Sequence, residues 1–256
     1  MTRPGNHPTT GPTVAPEPSG HTYLDFAAPL SDDRCARLVA LLAPAPGARV
    51  LDLGCGWAEF LLRVLSAEPT ATGTGVDTDD EAVERGLRNA RARGLEERVT
   101  LTAGDALAVT GPADVVAVGT SHVWGGTAPA LQALAALVAP GGRVLFGDAV
   151  WDRPPPATAL EALGAADGEI GLVADLVDAA EQAGLRVLDL GQASLEEWDD
   201  FESRWCAGRE RWLLDHPGHP DAGAVRAVVD DHRRRWLRGY RGELGFAYLV
   251  LAAPAA

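Results

Sequence analysis

The segment Val50-Leu51-Asp52-Leu53-Gly54-Cys55-Gly56-Trp57-Ala58-Glu59-Phe60 constrains this chain more than any other stretch. An apolar run ends in glycines, and a helical pattern begins at once. Glycine lets the backbone turn sharply and lets a ligand approach with no Cβ in the way. The helix that follows points N–H groups at something polar or anionic. A dinucleotide fingerprint needs a further glycine three positions after Gly56, where Glu59 stands, and a glutamate facing a pyrophosphate would repel it. The lysine of a Walker A loop is also missing. A ligand with a carboxylate and an ammonium but no phosphate suits the loop better, with Asp52 able to assist on the ammonium side.

Around this loop β and α patterns alternate. Near-continuous apolar runs at 49–53, 71–76, 98–102, 113–118 and 143–146 read as strands buried on both faces. Helical patterns lie between them at 58–67, 79–93 and 129–138, so the reading is βαβ units around a parallel sheet. Ser31 is an expected N-cap for a preceding helix that reaches Leu42 and is stopped by Pro44, Pro46 and Gly47. Residues 170–183 read as a helix and 186–190 as a strand. A tryptophan-rich insertion, about 195–241, then precedes a last strand at 245–252. Within it Trp198, Phe201, Trp205 and Trp212 fall near a helical period, as do Val225, Val229, His232, Trp236 and Tyr240. Two amphipathic helices follow, free on sequence grounds to dock on the sheet, to act as a lid, or to form a homodimer contact.

Length and charge narrow the classes further. The 256 residues suit one α/β domain at 21–256, behind a polar, proline- and glycine-rich leader at 1–20 that has no apolar signal region and reads as disordered. No apolar run approaches the roughly 20 residues that a membrane-spanning helix needs. Three cysteines, Cys35, Cys55 and Cys206, lack metal-ligand spacing and point to a reducing cytoplasm. The net charge of −14 repels phosphate backbones and argues against nucleic acid as a partner. Arg233, Arg234, Arg235, Arg238 and Arg241 run against that trend, as a solvated helix face or as a clamp for an anionic group.

The glycine segment resembles motif I of the class I S-adenosylmethionine-dependent methyltransferases, with Ala58 in place of the third glycine. Three companions follow in the order of that family: Gly75-Val76-Asp77 ending the second strand, Gly104-Asp105-Ala106 ending the third, and Pro140-Gly141-Gly142 before the fifth. The resemblance implies a doubly wound, seven-stranded, mostly parallel sheet with an antiparallel last strand and the helical insertion between strands six and seven. It implies S-adenosylmethionine as cofactor and S-adenosylhomocysteine as product. Cofactor-binding residues would be Asp52, Gly54, Cys55, Gly56, Asp77, Thr78, Gly104, Asp105, Ala106 and Thr120. Asp77 would take the ribose hydroxyls, or else cap a helix with Asp79 and Asp80. Asp105 would hold the adenine amino group, or else form a turn beside Gly104.

Methyl transfer leaves the protein to align a nucleophile and exclude water. His122, after the fourth strand, is the candidate general base, and Asp148, past the fifth, the second candidate for orienting or deprotonating the substrate. Trp124, Trp151 and Trp205 are expected as an apolar substrate wall and Tyr23 as a lid. No metal site is visible. The expected activity is methylation of a small molecule, at oxygen before nitrogen, sulfur or carbon, in specialised metabolism. The rivals are cofactor-dependent chemistry other than methyl transfer and a non-catalytic cofactor-binding subunit.

Overall fold

A computed structural model describes residues 20–255. Apart from Gly20, the expected leader lies outside the described residues. The strands are β1 (Arg49–Leu53), β2 (Thr72–Asp77), β3 (Val99–Ala103), β4 (Asp114–Val118), β5 (Arg143–Trp151), β6 (Arg186–Gln192) and β7 (Leu244–Ala252). They form one sheet in the order β3-β2-β1-β4-β5-β7-β6. β1 to β5 are paired in parallel, and β7 runs antiparallel between β5 and β6. The chain reverses its direction of travel across the sheet between β1 and β4, and the crevice beyond their carboxyl ends is where such folds bind ligands.

Helices α1 (Asp32–Leu42), α2 (Glu59–Ala67) and α3 (Asp80–Ala92) cover one face, over a core that includes Val50, Leu61, Leu65, Leu145 and Tyr248. Helices α4 (Thr127–Leu137) and α6 (Val173–Gln182) cover the other, over Leu51, Leu53, Leu131, Phe146 and Leu249. Along β1, Val50 enters one core and Leu51 and Leu53 the other, which is why the strand reads as a continuous apolar run. Ser31 caps α1, its side chain accepting from the Arg34 N–H.

Two features depart from the sequence reading. β5 continues to Trp151, well past 146, because pairing with β7 carries on through the polar Asp148 as far as Trp151 opposite Leu244. A short helix, α5 (Ala157–Leu163), follows Pro154-Pro155-Pro156, where the three prolines mask its start.

The insertion forms α7 (Leu195–Asp215) and α8 (Ala222–Arg235), the latter running on into a π-helical turn, Trp236–Tyr240. Gly239 lies in that turn against α5, where a Cβ would stand 2.1 Å from the Ala162 Cβ. Much of the aromatic stripe is covered internally. Trp205 stacks on His232 at 3.7 Å between ring centroids, and Trp236 and Tyr240 pack on Trp151 and Ala159. Buried Glu202 accepts the Tyr240 hydroxyl at 2.7 Å and bonds His232. No helix among the described residues is long and apolar enough to cross a membrane.

Glu197 fastens the start of α7 to α1. It closes a capping box with Ser194 and accepts from the Ser31 N–H and hydroxyl and from two nitrogens of Arg34. Burial opposes its charge, but Arg34, the Ser31 hydroxyl and the backbone N–H groups outweigh it and hold the carboxyl down at about 2. A carboxylate pKa depressed on folding stabilises above its unfolded value and loses that contribution as pH falls through the folded one. Glu197→Gln is expected to lower stability at pH 7 by about 1–2 kcal/mol. Urea unfolding should show that deficit shrinking as pH falls from 4.5 to about 2.

Candidate cofactor and acceptor site

The loop after β1 turns on left-handed backbone. Gly54 has φ +74° and Gly56 φ +52°, and Ala58, in the third glycine's place, holds φ +56° while fully buried. At Gly54 a Cβ would stand 2.1 Å from the Thr120 Cγ2, whereas at Gly56 it would meet open space. The N–H groups of the loop itself, ahead of α2, are taken up by the neighbouring strand. Gly54 and Cys55 donate to the Val76 carbonyl at 2.8 and 3.1 Å, and Gly56 donates to the Asp77 Oδ2 at 2.7 Å. The other oxygen of Asp77 accepts from the Asp79 N–H, Asp79 itself caps α3, and Asp105 caps a short turn through the Leu107 N–H. Asp105 is thus in its turn-forming role, whereas the cap of α3 is Asp79, and Asp77 at the end of β2 is fixed by the Gly56 and Asp79 N–H groups.

These loops enclose a cleft of about 330 Å³ beyond the carboxyl ends of β1 to β4. It brings together Asp52, Gly54, Cys55, Gly56, Asp77, Thr78, Gly104, Asp105, Ala106, Thr120 and His122. Its lining holds no arginine, and the chain has no lysine. Glu59 is matched by Arg63 and Arg93 at 2.8 and 2.7 Å, while Asp52, Asp77, Asp79 and Asp105 leave the cleft acidic. Burial first, and then the like charge of Asp77, push the Asp52 carboxyl up to about 7, against a weaker pull from the Leu61 N–H.

The roof is a part the sequence reading missed. From residues 21–30, where only Tyr23 was expected over the site, His21, Phe26, Ala28 and Leu30 join the lining. Trp57 donates its indole N–H to the Asp25 carbonyl at 2.6 Å, and Arg85 lies over the Trp57 ring at 4.1 Å. Arg85 also donates to the His21 and Leu24 carbonyls, and Arg204 of α7 pairs with Asp25 at 2.7 Å. The detectable signal was a tryptophan inside the glycine segment, which needs something to cover it.

The expected substrate residues lie elsewhere. Tyr23 is outside the cleft lining, with Arg211 over its ring. Trp124 packs on the α4 and α6 core, Trp151 is 2% exposed in the α5 cluster, and Trp205 is stacked between His232 and Arg209. Docking of helices on the sheet accounts for these rings. The aromatic walls of the cleft are Phe26, Trp57 and Phe60. Asp148 lines a second cleft, of about 650 Å³, that shares only His122 with the first. The basic stretch is largely engaged: Arg233 pairs with Glu210, Arg234 with Asp231 and Arg241 with Asp199, and Arg235 donates to the Ala162 carbonyl. These contacts make a paired helix face, without a convergent anion clamp.

Known proteins agree with this geometry. A methyltransferase-domain family matches residues 50–142. The Escherichia coli protein YjhP is 31% identical over 231 residues, covering 88% of this chain and 92% of YjhP, and its crystal structure superposes with a TM-score of 0.82. A methyltransferase of Geobacter sulfurreducens, crystallised with S-adenosylhomocysteine, superposes with a TM-score of 0.83 at 27% identity, over 91% of this chain and 95% of that one. The 27-O-demethylrifamycin SV methyltransferase of Amycolatopsis mediterranei is 28% identical over 69% of this chain and 66% of its own length. Relatives named for rRNA or ribosomal-protein substrates match over 24–42% of this chain. Fold and cleft define an S-adenosylmethionine-dependent methyltransferase of the class I, Rossmann-like kind. The chain belongs to the methyltransferase-domain family, with YjhP as a relative along nearly its whole length.

Gly54→Ala must hold a left-handed φ and drive a Cβ into Thr120. It is expected to destabilise by about 2–4 kcal/mol. Thermal unfolding of Gly54→Ala with Thr120→Ser, which removes the clashing methyl, should recover part of that loss.

Proposed function

We propose that this methyltransferase acts on a small molecule of specialised metabolism, oxygen being the first acceptor atom expected, in a reducing cytoplasm. The observation that carries the reading is the single acidic cleft that gathers every residue the motifs singled out for the cofactor, with His122 at its edge. A lining rich in carboxylates and free of arginine fits a ligand bearing a sulfonium and an ammonium. Similarity to a rifamycin methyltransferase over 69% of the chain, and a net charge of −14, favour a small acceptor over RNA. Free Cys35, Cys55 and Cys206 suit the compartment.

In this reading Asp52 faces the ammonium, Asp77 accepts from the ribose hydroxyls, and Asp105 with the Ala106 N–H takes the adenine edge. Gly54 and Gly56 leave room for the ligand's approach. The cofactor supplies a methyl group already activated on sulfur. His122 takes the proton from the acceptor hydroxyl as its oxygen becomes the nucleophile. The roof excludes water.

Calorimetric titration with S-adenosylmethionine and S-adenosylhomocysteine tests the cleft. Micromolar binding of both, weakened at least tenfold in Asp77→Ala, is expected, and no binding to either would sink the reading. A ligand ammonium favours ionised Asp52. Affinity for S-adenosylhomocysteine should therefore rise from about pH 6 to 8 as the carboxyl, held near 7, loses its proton. Asp52→Asn should flatten that rise. Once an acceptor is found, His122→Ala should lower kcat by about 10²–10⁴-fold with cofactor affinity little changed.

A further inference from the structure

We infer that the methyl acceptor sits in the second cleft, across His122 from the cofactor, and that it carries a protonated amine. This rests on the cofactor reading of the first cleft. That cleft, at about 330 Å³, is near the lower limit for a small-molecule site, the size suited to a single ligand. The space behind the roof at Phe26, Ala28 and Leu30 is smaller still, about 140 Å³. The second cleft is about 650 Å³, and its one residue in common with the first is His122, the candidate base. A molecule held there reaches the cofactor past the group that can take its proton.

Charge selects the kind of molecule. The ionisable groups of this cleft are His122, Asp148, Glu169 and Asp175, with no arginine among its lining residues. Asp148 is the deep one, 9% exposed on β5. It accepts from the Thr127 hydroxyl at 2.8 Å and from the Ala149 N–H at 3.0 Å, two neutral donors. A carboxylate so buried gains most from a cation, and it repels a carboxylate or phosphate brought to the same place. Glu169 and Asp175 are exposed at the mouth, each accepting a backbone N–H, from Ala166 and Leu172. They add negative potential along the way in. Ile170, Leu172 and Leu176 offer an apolar surface for the body of the molecule.

Matched probes test this on the full chain saturated with S-adenosylhomocysteine. Phenethylamine and phenylacetate, alike in size and opposite in charge, are titrated by calorimetry at up to millimolar concentration. Phenethylamine is expected to bind at least tenfold more tightly than phenylacetate. Asp148→Asn should abolish that preference, and the exposed Glu169→Gln, which carries little risk to folding, should reduce it two- to threefold. Both variants should keep wild-type affinity for S-adenosylhomocysteine. Phenylacetate binding as tightly as the amine, neither probe binding, or a preference that survives in both variants would overturn the inference. If wild-type protein failed to bind S-adenosylhomocysteine, the cofactor reading would fall first.

Discussion

The hydrogen bond from the Gly56 N–H to the Asp77 carboxylate fastens the end of β1 to the end of β2, and the cleft is built around that joint. Gly54 and Cys55 donate to the Val76 carbonyl beside it, so three successive N–H groups of one loop are satisfied by the neighbouring strand. With the loop's donors so engaged, the glycines serve shape: one lets the backbone pass Thr120, the other leaves open space. The same carboxylate holds the Asp79 N–H and so sets where α3 begins. Arg85 then projects from α3 to hold the roof, which makes the roof's position depend on Asp77 at one remove.

The parallel half of the fold was legible because both faces of β1 and of the first half of β5 are buried. Val50, Leu51 and Leu53 have to be apolar whichever way they point, and Gly54 after β1 and Gly104 after β3 mark where those runs stop. The cleft residues were legible for a related reason, since they follow directly on those strand ends. What hid α5 was its length and the prolines before it, and what hid the end of β5 was Asp148, a polar residue inside a paired strand.

The aromatic residues misled for a different reason. A ring shows in sequence that it needs cover without showing what covers it. Trp151, Trp205 and Trp124 found theirs in α5, His232 and the α4 and α6 core, while the less conspicuous Phe26 and Phe60 reached the cleft. The periodicity of the insertion gave its helices correctly, yet Tyr240 comes round to Glu202 only because the last turn of α8 widens into a π-helix. The Arg34–Glu197 and Arg204–Asp25 pairs, which tie the insertion to α1 and to the roof, span more than 160 residues and left no local trace.

All 22 basic side chains of this chain are arginines. Arginine stays charged throughout the accessible pH range. Any alkaline titration of the protein therefore belongs to thiols, tyrosines or the α-amino group, which removes the usual ambiguity with lysine. It also means that amine-directed reagents find no side chain to modify in this chain.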